Sequence, residues 1–172
     1  MATVNVMFNG QGYAPDWLLL KAEMELPITM EQGTRFMESA ANLSVSIAHL
    51  ADWVFAFKTP AFAHCKTLGE VIADVARLCP KAALFFDICN EYKHADRRKA
   101  SAITAQVIVY GDSYPASADL SHFADGNHIV TRTSDGATNW VFRPVIKDHA
   151  GNELPFRECA QDALTWWRSV IL

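Results

Sequence analysis

The feature that most constrains this chain is a change of period near Ser101. Before it, apolar residues recur at threes and fours. Phe36, Ala40, Leu43, Ile47, Leu50 and Val54 keep that spacing, which predicts one face of a long helix from about Met30 to Phe57. After it, Ile103 to Tyr110 is rich in β-branched residues and predicts a strand. His128 to Thr133 and Asn139 to Lys147 predict two more, joined around Asp135-Gly136, a pair suited to a tight hairpin turn. Helices first and strands afterwards, without alternation, point to the α+β class.

Punctuation refines the helices. Pro15 and Asp16 start a short helix through Trp17, Leu18, Leu19 and Leu20, expected to end before Pro27, and Thr59-Pro60 stops the long one. Thr67-Leu68-Gly69-Glu70 has the capping-box pattern, in which Thr67 and Glu70 satisfy each other's backbone donors. It opens a helix carrying Leu68, Val71, Ile72, Val75 and Leu78, and Pro80 is placed as the first residue of the next, reaching about Lys99. Gly111 to Asn127 reads as turn-rich, Asp148 to Asn152 as another turn, and Pro155 opens a last helix with Phe156, Cys159, Ala160, Ala163, Leu164, Trp167 and Ile171 on one face. The expected architecture is a single domain over residues 1–172. An antiparallel helical bundle occupies about 14–100, and a small antiparallel β-sheet with a closing C-terminal helix occupies about 101–172.

Composition removes several function classes. The formal net charge of -4 disfavours a duplex-wrapping or membrane-coating protein, and the one dense basic segment is Lys93 to Lys99. No apolar run approaches the roughly 20 residues that span a bilayer, and no basic segment precedes a leader-like run, so no membrane association and a cytoplasmic location are expected. Four cysteines, none spaced as CxxC, disfavour a zinc knuckle or redox pair, and Cys79, Cys89 and Cys159 read as buried thiols. Gly10-Gln11-Gly12 lacks the third glycine of a dinucleotide loop, and neither a Walker lysine nor a G-x-S-x-G elbow is present. No cofactor and no bound metal are expected.

Two polar stripes remain on otherwise apolar helices. Asp87, Asn90, Glu91 and His94 share one helical face, and Asn42, Ser46, His49 and Asp52 share another. Packed face to face, Asp87, Asn90 and His94 would form a catalytic group with His49 and Asp52 in support. The same residues also fit a solvated edge, with His94 favoured by its place at a helix C-terminus.

Asn90-Glu91-Tyr92-Lys93-His94 resembles the tail of the R-N-x-x-x-H motif of the HEPN family. HEPN domains are small helical bundles, often dimeric, found in ribonuclease toxins, phage-defence effectors and RNA-guided nucleases. The resemblance implies either metal-independent cleavage of single-stranded RNA, with His94 as the catalytic histidine and Asn90 at the motif's polar position, or a catalytically inactive relative that binds or regulates. Asp87 or Asp52 would orient the imidazole, and Lys93, Arg97 and Arg98 would attract the RNA backbone. Cys89 stands where the motif has its arginine, and a thiol cannot stabilise a developing phosphate charge as a guanidinium does. The resemblance covers about Met30 to Lys99, and a minimal HEPN domain has no counterpart of the strands after Ser101.

Two other classes fit the same residues. One is a non-enzymatic scaffold or interaction protein, homodimeric or bound to a protein partner, using aromatic surface from Trp17, Trp53, Trp140, Trp166 and Trp167. Trp166 and Trp167 are adjacent and cannot share one side of a helix, so one of them is expected at a second contact surface. The other class is a metal-dependent hydrolase with His49, Asp52, Asp87 and His94 as ligands.

Overall fold

The computed structural model describes residues 7–8, 11–12, 14–31, 35–93 and 105–172. The chain is α+β. Two short strands, β1 (Met7–Phe8) and β2 (Gln11–Gly12), pair ahead of the helices α1 (Pro15–Glu31), α2 (Phe36–Ala56), α3 (Leu68–Leu78) and α4 (Pro80–Lys93). The strands β3 (Ala105–Pro115), β4 (Ile129–Arg132), β5 (Thr138–Asp148) and β6 (Glu153–Pro155) follow, and α5 (Phe156–Ile171) closes the fold.

α1 overrides its proline. The expected stop before Pro27 does not occur, and the helix runs on to Glu31 with Pro27 inside it. A proline in a helix interior costs about 3 kcal/mol. Burial on both sides of it offsets that cost, because Leu18, Leu19, Ala22, Leu26 and Thr29 all face the interior. The Thr29 hydroxyl also donates to the carbonyl of Glu25 at 2.8 Å, tying the turn around the proline. As a result α2 begins at Phe36, later than its periodicity suggests.

α3 starts where its cap predicts. Thr67 is extended, and its Oγ1 accepts from the backbone N–H of Glu70 at 3.2 Å. The return bond differs from the reciprocal box. Glu70 Oε2 accepts from the backbone N–H of Lys66 at 2.5 Å, one residue before the cap. Glu70 therefore fixes the loop entering the helix as well as the helix itself.

The four strands of the main sheet are antiparallel and organised by β5. β3 pairs along its whole length, while β4 (Ile129↔Phe142 to Arg132↔Asn139) and β6 (Val145↔Pro155 to Lys147↔Glu153) share the opposite edge. The β4–β5 hairpin turns at Asp135-Gly136 as expected, with Gly136 at φ +70° and Asp135 Oδ1 accepting from the Thr133 hydroxyl and the Ala137 N–H. β3 departs from expectation by passing through Gly111 as far as Pro115. Gly111 is directly opposite Phe142, and a Cβ there would stand 3.1 Å from two carbons of that ring. A glycine that reads as turn-forming in sequence is here the residue that lets the aromatic lie across the strand.

One continuous apolar core joins the two halves. It runs from Leu19, Phe36, Leu43, Ile47 and Leu50 through Phe85 and Ile88 to Ile146, Phe156 and Trp167. Phe156 sits edge-on to both Phe36 at 5.1 Å and Phe85 at 5.9 Å, so the first residue of α5 locks the closing helix onto the bundle. Trp167 is fully buried, and Trp166 is half-buried beside it. Both rings face Phe62 in the α2–α3 connection, at 6.5 Å for Trp166 and 6.1 Å for Trp167. The second surface expected for this tryptophan pair is thus met, at least in part, within the chain.

Candidate functional site

The sequence-predicted residues that the structure describes lie on α2 and α4, two helices that pack together. Asp87 is half-buried and Asn90 exposed on α4, and Lys93 is the last residue of that helix. His94, Arg97 and Arg98 lie outside the described residues. Cys89, at the position of the motif's arginine, is buried in the core with 2% of its surface exposed, so that position does not present a side chain to solvent.

On α2, His49 is half-buried and Asp52 exposed. One turn before His49, Ser46 is committed elsewhere. Its hydroxyl donates to Glu25 Oε2 and accepts from Lys21 Nζ, both at 2.7 Å and both on α1. Ser46, one member of the α2 stripe, is therefore turned toward α1. His49, Asp52 and Asp87 also form no set of metal donors among the described residues.

Three features carry more geometry, and of these sequence reasoning touched only the last, through Trp17. The first is an open cleft of about 430 Å³ between α1, α5 and the connection that precedes β4. Glu23, Glu31, His128, Arg157 and Gln161 supply its polar lining. Asp125 Oδ1 accepts from His128 Nδ1 at 2.9 Å, which makes Nε2 the basic nitrogen of the neutral ring. Partial burial pushes the Asp125 carboxyl up, but the bond from His128 and the N–H of Asn127 outweigh it and leave it below the usual value. Arg168 spans the rim to bind the carboxylate of Glu23 with two nitrogens. The cleft mixes apolar residues (Leu26, Pro27 and Met30) with groups of both charges, and Glu23 and His128 are each bonded to a neighbour outside the lining.

The second is a cluster at the start of α3. Pro60–Phe62 forms a single 3-10 turn, and the buried ring of Phe62 anchors it to the core. The N–H of Cys65 bonds the Phe62 carbonyl at 3.0 Å, which fixes the backbone of His64 and Cys65. Asp74 lies on the second turn of α3. Its Oδ2 is 2.6 Å from His64 Nε2 and 3.8 Å from Cys65 Sγ, and the same Nε2 is 3.5 Å from the sulfur. Arg77 holds the other oxygen, Oδ1, at 3.0 Å. The Arg77 and His64 hydrogen bonds keep the Asp74 carboxyl below the usual range. Partial burial, followed by the charge of Asp74, its hydrogen bond and the charge of Glu70, pushes the Cys65 thiol up. That is the reverse of what a nucleophilic cysteine needs. An adjacent His-Cys pair entering a helix, with a carboxylate on its second turn, was the available sequence signal.

The third is a stripe on α1. Trp17, Leu20, Met24 and Ile28, spaced three, four and four apart, are 46%, 54%, 61% and 51% exposed. With Lys21 and Glu25 they line an almost wholly apolar groove of about 320 Å³. The opposite face of the same helix carries its buried residues. α1 is therefore apolar on two sides, one facing the core and one facing out.

No family model matches this chain, and no curated protein or solved structure matches it either. No helix among the described residues is long and apolar enough to cross a membrane.

Proposed function

We propose that this chain is a self-associating interaction module whose α1 packs against the α1 of a second copy. The observation that carries this reading is the exposed stripe of Trp17, Leu20, Met24 and Ile28. Four large apolar side chains in line on one helix, each about half exposed, exceed the scattered apolar residues normal on a monomer's surface.

The pattern around the stripe favours a like partner. A twofold axis crossing α1 near its middle sets two copies antiparallel and brings Trp17 of one beside Ile28 of the other. It also brings Leu20 beside Met24, and Lys21 beside Glu25. Every contact is then apolar on apolar or cation on anion, the self-complementarity an isologous interface requires. A parallel arrangement would set Lys21 against Lys21 and Glu25 against Glu25.

The test is the mass of the full-length protein in solution, by light scattering over a concentration series, for wild type and for Leu20→Glu with Met24→Glu. The expected result is a dimer in wild type and a monomer in the variant, with the same far-ultraviolet circular dichroism. A wild-type monomer at all concentrations, or a variant that remains dimeric, would overturn the reading.

An RNA-directed role is a second reading. It is favoured by Asn90, which stands exposed on α4 with half-buried Asp87 one turn earlier on the same face. Cleavage of labelled single-stranded RNA that survives EDTA and disappears in His94→Ala would support it. Absence of cleavage by the wild type would remove the catalytic form.

A further inference from the structure

We propose that His64, Cys65 and Asp74 form a binding site for a zinc-class divalent ion, with the fourth coordination position open to solvent. Among the described residues, this is the set of His, Cys and carboxylate donors close enough to share one ion, all three atoms lying within 4.8 Å of one another. It is separate from both the α1 stripe and the α1–α5 cleft, and it does not depend on self-association.

The arrangement of atoms distinguishes a metal site from a catalytic triad. In a triad the imidazole is a relay, with one ring nitrogen on the nucleophile and the other on the carboxylate. Here one nitrogen, Nε2, faces both the sulfur at 3.5 Å and the carboxylate at 2.6 Å. Three donors of three kinds converge on a point rather than lying in a chain.

The distances suit that point. Tetrahedral bonds of about 2.0–2.3 Å place neighbouring N, S and O donors roughly 3.3–3.6 Å apart. The sulfur is already at 3.5 Å from the imidazole and 3.8 Å from the carboxylate. The 2.6 Å imidazole–carboxylate hydrogen bond must open by roughly 0.7 Å, since the ion takes the place of its proton.

The donor chemistry selects the ion. Thiolate, imidazole and carboxylate together match borderline-soft zinc and disfavour magnesium or calcium, which take oxygen. Binding releases the Cys65 thiol proton to solvent, after which the dication is balanced by the resulting thiolate and the Asp74 carboxylate, with Glu70 adding negative charge close to the sulfur. Arg77 on the far oxygen of Asp74 is an outer partner that aims the near oxygen inward.

The backbone is set in advance. Phe62 is buried, Cys65 is bonded to it, and the Thr67–Glu70–Lys66 bonds fix the register of α3, so His64 and Asp74 need only side-chain rotation. The His64 side chain is 65% exposed, which leaves the outer side of the ion to water. A site with three protein donors and one open position binds exchangeably, unlike a closed four-ligand structural zinc.

The experiment uses full-length reduced protein, titrated with Zn2+ and separately with Co2+. One ion per chain is expected, with a thiolate-to-Co2+ charge-transfer band and the visible absorption of tetrahedral cobalt. Cys65→Ser should abolish the charge-transfer band. His64→Ala should weaken Zn2+ more than about 100-fold, beyond the range typical of outer-shell partners. The proposal is overturned if the wild type shows no saturable Zn2+ binding, or if bound Co2+ lacks the thiolate band. A band that persists in Cys65→Ser overturns it too, by assigning the metal to another thiol. The wild-type spectrum decides the matter even where a variant folds poorly.

Discussion

Gly126 leaves room for Arg157. A Cβ on this glycine would stand 1.7 Å from Nη1 of the arginine, and the glycine itself has φ +81°. The loop before β4 and the first turn of α5 therefore meet without a side chain between them, and this contact forms one wall of the α1–α5 cleft. Gly126→Ala is expected to destabilise the protein by about 1–2 kcal/mol from the left-handed backbone alone. The guanidinium is the far end of a flexible side chain and can swing away. If that is so, Arg157→Ala in the Gly126→Ala background restores little, and a double-mutant cycle by urea unfolding returns a small coupling. A coupling comparable to the whole loss would place the cost in the steric contact instead.

The turns of the sheet should make the protein sensitive to acid. Asp135 is held below its ordinary 3.8 by the Thr133 hydroxyl and the N–H of Ala137. Asp148 is held below it by the Asn152 side chain and by the N–H groups of Asn152 and Ala150. A carboxyl whose folded value is depressed contributes stability that is fully present above the unfolded value. That contribution is lost as the pH falls through the depressed one. Stability should thus decline below the ordinary carboxylate range, and Asp135→Asn and Asp148→Asn should each flatten the decline. Urea midpoints measured from neutral pH into the acid range check this. An unchanged acid slope in both variants would mean that other carboxylates govern it.

These same turns were legible in the sequence, whereas other elements were not, for physical reasons that differ from case to case. The Asp135-Gly136 hairpin, the Thr67 cap and the α3 face depend on neighbours within a few residues. The extension of α1 past Pro27 depends on the burial of Leu26 and Thr29, which only tertiary packing decides. The passage of β3 through Gly111 depends on register against Phe142, more than thirty residues away. For the candidate sites, helical spacing correctly put Asp87 and Asn90 on one α4 face, but Ser46 turned out to serve Glu25 and Lys21 of α1. His64, Cys65 and Asp74 went unnoticed because a loop pair and a helical carboxylate share no period. The fold alone brings them together.

The Ser46 contact leads to a prediction about the bundle. Ser46 is buried, and its hydroxyl bridges Lys21 and Glu25, which also pair with each other at 2.5 Å. Removing the hydroxyl leaves one oxygen of half-buried Glu25 without that donor. Ser46→Ala is expected to cost about 1.5–3 kcal/mol, on the scale of a lost hydrogen bond to a charged group. Glu25→Gln in the Ser46→Ala background should cost less than Glu25→Gln alone. Thermal or urea unfolding of the four proteins checks this. Strict additivity would show that the serine and the carboxylate act independently.

Trp167 gives the sharpest test of the core. It is fully buried, it lies edge-on to Trp166 at 4.8 Å, and its Nε1 has no hydrogen-bond partner among the described residues. The ring thus contributes apolar burial while its N–H carries an uncompensated desolvation cost of about 1–3 kcal/mol. Truncation and ring replacement should therefore differ widely. Trp167→Ala removes the packing against Phe62 and Trp166 and leaves a cavity, at an expected cost of about 3–5 kcal/mol. Trp167→Phe keeps an aromatic ring and deletes the orphan donor, so its loss should stay below about 2 kcal/mol despite the smaller volume. Urea unfolding of the two variants beside the wild type measures both. A Trp167→Phe loss well above about 2 kcal/mol would mean that the indole N–H is satisfied in solution, and the advantage assigned to phenylalanine would disappear.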